Sequence, residues 1–278
     1  MANDQKPDRR PRGRPRLHRD DTDAGTVRAL DRGIQLLRIL AKDGGVGLTD
    51  LALRVGLPPS SVHRLLMTLQ RSGVVAFQEA TQEWCVGVEA FRIGNSFVAR
   101  NNIVEAGLTV MRRLVGETGE TANIAISDGG HVVFLAQIET PNPIRAFFSP
   151  GTRAPMHASG IGKVLLAELE RKDVESILQS VGLPEYTPKT LTSPQDLFEE
   201  LETIRRRGWS LDDEERYTGM RCIAAPIYDA KGSAIAGISI SGPTERLSDE
   251  MAPGMAVKVK QAAAEVTDLT GGVAKTCA

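Results

Sequence analysis

The chain has 278 residues, 41% of them hydrophobic, 25% charged and 4% aromatic, with a net charge of −1. This composition excludes a disordered or fibrous protein, the length favours two modest domains over one large one, and no apolar run is long enough to span a membrane. Cys85, Cys222 and Cys277 are odd in number and far apart, matching neither a disulfide framework nor a metal cluster, so reduced thiols and no cofactor are expected.

The near-neutral total conceals an uneven distribution. Between Lys6 and Arg19 the basic residues Lys6, Arg9, Arg10, Arg12, Arg14, Arg16 and Arg19 meet only Asp8, while Pro7, Pro11 and Pro15 oppose a helix. Residues 1–23 therefore read as a basic arm, disordered when free, with Asp20, Asp21 and Asp23 as a linker. Within it Pro11-Arg12-Gly13-Arg14-Pro15-Arg16 resembles the AT-hook. A narrow minor groove concentrates negative potential for Arg12, Arg14 and Arg16, and Gly13 lets the backbone approach the groove floor. The competing reading is a solvated tail that makes only non-specific phosphate contacts. The arm lacks the apolar core of a secretory signal, which predicts a cytoplasmic protein.

Residues 24–87 read as a winged helix-turn-helix. Over 27–41 the residues Val27, Leu30, Ile34, Leu37 and Leu40 or Ala41 recur at steps of three and four, predicting a helix with that stripe buried. Asp43-Gly44-Gly45 ends it. A second helix is expected over 48–55, with Thr49 as its cap, and Gly56-Leu57-Pro58-Pro59 supplies the turn into a third that opens at Pro59 or Ser60. In the third helix Val62, Leu65, Leu66 and Leu69 face inward. Its other face presents Ser60, Ser61, His63, Arg64, Thr68 and Arg71, short hydrogen-bonding or cationic groups suited to phosphates and base edges. These residues, with Thr49, form the expected DNA-contacting set. Val74 to Phe77 and Trp84 to Val86 then flank a polar tip as a hairpin wing.

A linker helix is expected over 88–102, and residues 103–278 form a second domain. It opens with a helix over 103–115, followed by short strands over 122–127, 131–138 and 144–149, the first two joined by Asp128-Gly129-Gly130. Helices are predicted near 160–169, 173–180 and 194–207, strands over 222–228 and 234–241, and a long helix over 248–269. Strands joined by hairpins and interspersed with helices make an antiparallel α+β domain. Ser239 and Ser241 lie two apart on a strand, so both hydroxyls share one face while Ile238 and Ile240 take the other. Ser159-Gly160-Ile161-Gly162 opens a helix, whose unpaired N–H groups and positive dipole end favour an anion. Together they suggest a niche for a carboxylate.

Several blocks resemble the IclR family of bacterial transcriptional regulators. The stretch Leu48 to Ala52 through Gly56 to Leu66 is similar to that family's helix-turn-helix. Pro150-Gly151-Thr152-Arg153-Ala154-Pro155-Met156-His157-Ala158-Ser159-Gly160 resembles the mouth of its effector pocket. Arg207-Gly208-Trp209, Asp212 to Glu215, Gly219 to Pro226 and Ile238 to Pro243 look like its signature. The resemblance covers nearly everything after the arm. It implies a GAF/PAS-like effector domain, with Asp212 and Cys222 added to the pocket wall and Met220, Ala154 and Ala146 lining it.

The function this implies is a dimeric or tetrameric regulator of a catabolic operon, written here as a repressor although the residues do not state the sign. Its partners would be a palindromic or pseudo-palindromic double-stranded operator and a small carboxylate effector that changes the spacing of paired DNA-reading domains. Two rival readings are an enzyme with Cys222 as nucleophile and His157 as base, and an architectural protein led by the AT-hook. Cys222 lies in an apolar run that should raise its thiol pKa, which weighs against the enzyme.

Overall fold

The computed structural model describes residues 27–100 and 102–274. The arm with Arg12, Arg14 and Arg16 lies outside the described residues, as does Cys277. The chain divides into two compact units between Ser96 and Phe97.

The first unit contains α1 (Arg28–Asp43), α2 (Leu48–Val55), α3 (Pro59–Arg71), β1 (Val75–Gln78) and β2 (Glu83–Val86), and α4 (Val88–Arg100) follows. Its core is Leu36, Leu40, Val46, Leu51, Val55, Val62, Leu66, Val75 and Trp84. The buried side of α1 follows the expected stripe only in its second half: Leu40 is buried and Leu37 packs against the core, but Gly33 and Leu36 join them while Val27, Leu30 and Ile34 are 64%, 64% and 41% exposed. Packing against α2 and α3 turns the first half of the stripe outward and Leu36 inward. The cap of α2 is Gly47, so Thr49 sits inside the helix and makes no capping hydrogen bond. Gly56, left-handed at φ 69°, closes α2, and Pro59 occupies the first position of α3, where a missing N–H costs nothing. Trp84 exchanges backbone hydrogen bonds with Val46 (2.9 and 3.0 Å), tying the wing to the segment before α2.

The second unit is built from α5 (Ile103–Thr118), β3 (Thr121–Asp128), β4 (His131–Ile138), β5 (Arg153–Pro155), α6 (Gly160–Ala167), α7 (Arg171–Val181), α8 (Pro194–Arg207), β6 (Ser210–Asp213), β7 (Met220–Tyr228), β8 (Ala234–Pro243) and α9 (Ala252–Leu269). The strands form one six-stranded sheet in the order β5-β4-β3-β8-β7-β6, every pair antiparallel. Alternation along the strands gives the sheet two buried faces. Ala122, Ile124, Ile223, Ala225, Ile238 and Ile240 pack with residues of α5 and α9. Ala125, Phe134, Ala154 and Ala224 pack with residues of α6, α7 and α8.

One expected strand is absent and one unexpected strand is present. No strand forms over 144–149; Ile144 and Phe147 are exposed there, and the edge position on β4 is filled by β5. The segment after Trp209, for which no element was expected, pairs with β7 as β6 (Ser210–Asp213), setting Asp212 opposite Cys222.

Candidate functional site

The outward side of α3 carries Ser60, His63, Arg64, Thr68, Gln70 and Arg71 as exposed residues, with Ser61 and Met67 half-buried. At about 100° per residue, Ser60, Arg64 and Arg71 fall on one ridge directly opposite Val62, Leu66 and Leu69. Among the described residues no carboxylate pairs with Arg64 or Arg71, so both cations are available to an external anion. Two expected contacts have other work. The His63 ring stands edge-on to Trp84 at 6.4 Å, and the Thr68 hydroxyl donates to Arg64 O at 2.9 Å, leaving only its lone pairs outward. Thr49 is exposed at the start of α2. Met67 and Gln70 adjoin His63 beside the wing, and sequence reasoning did not include them.

In the second unit a small cavity lies between α6, the sheet and the strap that joins β6 to β7. It has room of about 20 Å³, enough for one water. Ala154, Ser159, Ile161, Asp212, Met220, Cys222, Ser239 and Ser241, all anticipated from the sequence, line it together. Gly160 abuts it: a β-carbon there would stand 3.0 Å from Cys222 Sγ, so only glycine lets the helix meet the sulfur this closely. Ala146 is buried but is not among the lining residues. Phe134, Phe148, Ala158, Arg216 and Tyr217 also line the cavity and were not anticipated.

Ser159 caps α6, its hydroxyl accepting from the Gly162 N–H at 3.3 Å. The Ser210 hydroxyl donates to Gly160 O at 2.6 Å and fixes that turn against β6. Ser241 accepts from Asn123 Nδ2 at 3.3 Å, whereas the wholly buried Ser239 Oγ makes no hydrogen bond of good geometry. An unsatisfied buried hydroxyl is uncommon because it forfeits hydration without replacement. Asp212 accepts the Glu215 N–H at 2.9 Å, and burial raises its carboxyl pKa, the charge of Lys163 opposing this in part.

Burial pushes the Cys222 thiol up to about 11, helped by the Asp212 charge, while the nearby hydroxyls of Ser241 and Ser239 oppose the shift. A thiol so protonated is a poor nucleophile. The base proposed for it is also misplaced: His157 Nε2 donates to Pro184 O at 3.1 Å, its ring lies beside Tyr186, and it is not among the cavity's lining residues. Burial lowers the His157 pKa.

A winged helix-turn-helix followed by an α+β unit with a small polar-ended cavity joins a DNA reader to a ligand pocket. The model for the IclR helix-turn-helix domain matches residues 29–79, and that for the C-terminal part of bacterial IclR transcriptional regulators matches residues 95–268. The chain belongs to the IclR family, whose members are transcriptional regulators and not enzymes. It is 49% identical to the HTH-type transcriptional regulator BhcR of Paracoccus denitrificans over 93% of this chain and 94% of that one. It is 40% identical to the transcriptional repressor IclR of Escherichia coli over 90% of this chain and 92% of that one. The crystal structure of Thermotoga maritima IclR superposes with a TM-score of 0.74 at 27% identity, covering 88% of this chain and 100% of that one. Among the described residues no helix is long and apolar enough to cross a membrane, and no three His, Cys, Asp or Glu side chains are grouped to hold a metal.

Proposed function

We propose that this chain represses a catabolic operon in the cytoplasm, holding a palindromic operator as a homodimer or a dimer of dimers until a small carboxylate enters the cavity. Residues 24–87 read the DNA, 88–102 link, and 103–278 bind the effector within a GAF/PAS-like sheet and make the subunit contacts. Ser60, Ser61, His63, Arg64, Thr68 and Arg71, with Thr49, are the major-groove contacts. Arg12, Arg14 and Arg16 of the arm follow the neighbouring minor groove. The observation that carries the reading is Ser239 Oγ, buried and unpartnered in a cavity that also holds the first turn of α6. A carboxylate there accepts from Ser239 and from the helix N–H groups at once. The repressor name of the Escherichia coli relative supports the sign.

Footprinting the protein on DNA upstream of its own gene tests this. Two protected half-sites related by a two-fold axis, lost on adding one acid from a panel of small carboxylates, are expected. A single unsymmetrical footprint that no acid alters overturns it.

A further inference from the structure

Arg216 sits in the strap between β6 and β7, and the reader and pocket described so far give it no task. Its guanidinium lies 4.0 Å from the Tyr186 ring centroid and 5.5 Å from that of Tyr217. Such stacking holds the flat faces of the cation and leaves its N–H edge to point elsewhere. That edge points inward: Nη1 is fully buried, has no hydrogen-bond partner, and belongs to a residue lining the cavity.

The acids nearby have other cations or donors, although Glu215 Oε2, like Arg216 Nη1, is buried without a hydrogen-bond partner. Glu215 pairs with Lys163, Glu214 with Lys189, and Asp213 with both Arg221 (2.6 Å) and Lys189 (3.2 Å). Asp212 takes the Glu215 N–H. No carboxylate of the described residues forms an ion pair with Arg216, and it is the one cation among the lining residues. A charged donor left without a partner in a desolvated wall is costly, and an anion would remove the cost.

The cavity therefore has two polar ends that lack partners. The inner end is Ser239, wholly buried, beside the first turn of α6. The outer end is Arg216, next to Tyr186 and Tyr217, which are 42% and 47% exposed. The rest of the lining is largely apolar, including Met220, Ala154 and the stacked rings of Phe134 and Phe148, 4.7 Å apart and 5° from parallel. Polar ends on an apolar middle match a short chain of methylenes with an acid at each end. A phosphate at the outer end would need more donors than one guanidinium edge supplies.

We infer that Arg216 is a specificity-determining residue that receives a second carboxylate, so that the effector is a short dicarboxylate rather than a monocarboxylate. This rests on the carboxylate pocket proposed above and adds its outer end. Because the central room is about 20 Å³, the exposed Tyr217 and its strap swing outward to admit the ligand and close through Arg216.

The test is calorimetric titration of the full chain with malonate, succinate and glutarate, each against the monocarboxylate of equal carbon number, propionate, butyrate or valerate. At least one diacid is expected to bind about tenfold more tightly than its partner. Arg216→Gln should reduce that preference to within about twofold, read as the ratio of diacid to monoacid affinity within the one variant, and Arg216→Lys should keep part of it. An equal preference in the native chain and in Arg216→Gln, or a preference for monocarboxylates, overturns the inference. If monocarboxylates bind best and Ser239→Ala weakens them, only the role of Arg216 fails. If no acid of either series binds, or if Ser239→Ala changes nothing, the pocket reading fails with it.

Discussion

The Lys163 ammonium, 1% exposed, donates to Glu215 Oε1 and to Leu211 O (2.6 Å), fastening α6 to β6 and to the start of the strap. A buried ion pair is weak in net stability but costly to break on one side, since the remaining charge is stranded. Lys163→Met should therefore destabilise the second unit by about 3–5 kcal/mol, and adding Glu215→Leu should restore much of it. Urea unfolding followed at Trp209, in a chain carrying Trp84→Phe, measures both. Equal loss in the single and double variants would contradict the pairing.

The same Glu215 gives a pH signature. Burial raises its carboxyl from 4.5 to about 7, with Lys163 opposing the shift. Between those values the folded chain holds a proton that the unfolded chain has released, so this contribution is full below about 4.5 and is lost as pH rises through about 7. Asp212 shifts in the same direction. His157, whose pKa burial lowers, contributes the opposite slope. The difference in unfolding midpoint between the native chain and Glu215→Gln, taken from about pH 5 to 8, should therefore shrink or change sign in the direction of lost native stability as pH rises.

On the DNA-reading face, Arg64→Ala and Arg71→Ala should each cost about 1–3 kcal/mol of operator affinity with no change in folding stability. Anisotropy titration at fixed salt reads the first and thermal unfolding the second. His63→Ala should act differently, loosening the wing through its contact with Trp84.

Glycine contacts separate two helices. A β-carbon on Gly162 would stand 2.2 Å from Met156 O and 2.4 Å from its Cα, and backbone cannot swing aside as a side chain does. Gly162→Ala should destabilise by about 1–3 kcal/mol or more. Gly116, inside α5, has nothing within 4 Å. Gly116→Ala should stabilise by about 0.5–1 kcal/mol, and the opposite signs appear as shifts of the same unfolding transition.

With Cys85→Ser and Cys277→Ser leaving Cys222 as the remaining thiol, alkylation near pH 7.5 should be slow. A pKa of about 11 gives a thiolate fraction roughly 300-fold below that of a free cysteine. The rate should climb steadily towards alkaline pH, and rapid labelling at neutral pH would contradict the buried, protonated thiol.

The parts of the molecule that were legible in the sequence are those where one residue pattern admits one packing. The helix over 194–207 is bracketed by Ser193, Pro194 and Gly208 and forms with those bounds. Ser239 and Ser241 share a face because the period of a strand leaves no alternative. In α1 periodicity rightly places Leu37 and Leu40 inward, but only contact with α2 and α3 chooses Leu36 over Leu30 and Ile34. The strand β6 was hidden because acidic residues suit turns, and its formation depends on β7, which is distant from local propensity. Arg216 and Tyr217 gave no signal at all, since an irregular strap has no period and their importance arises from the rings and the cavity brought beside them.

The strand β8 separates two layers while belonging to both. Ser239 and Ser241 stand in the cavity wall, and Ile238 and Ile240, their immediate neighbours in the chain, are wedged among α5 and α9. Consecutive side chains on an extended strand point to opposite faces, so the cavity wall and the packing beneath the long helices stand one residue apart on the same backbone.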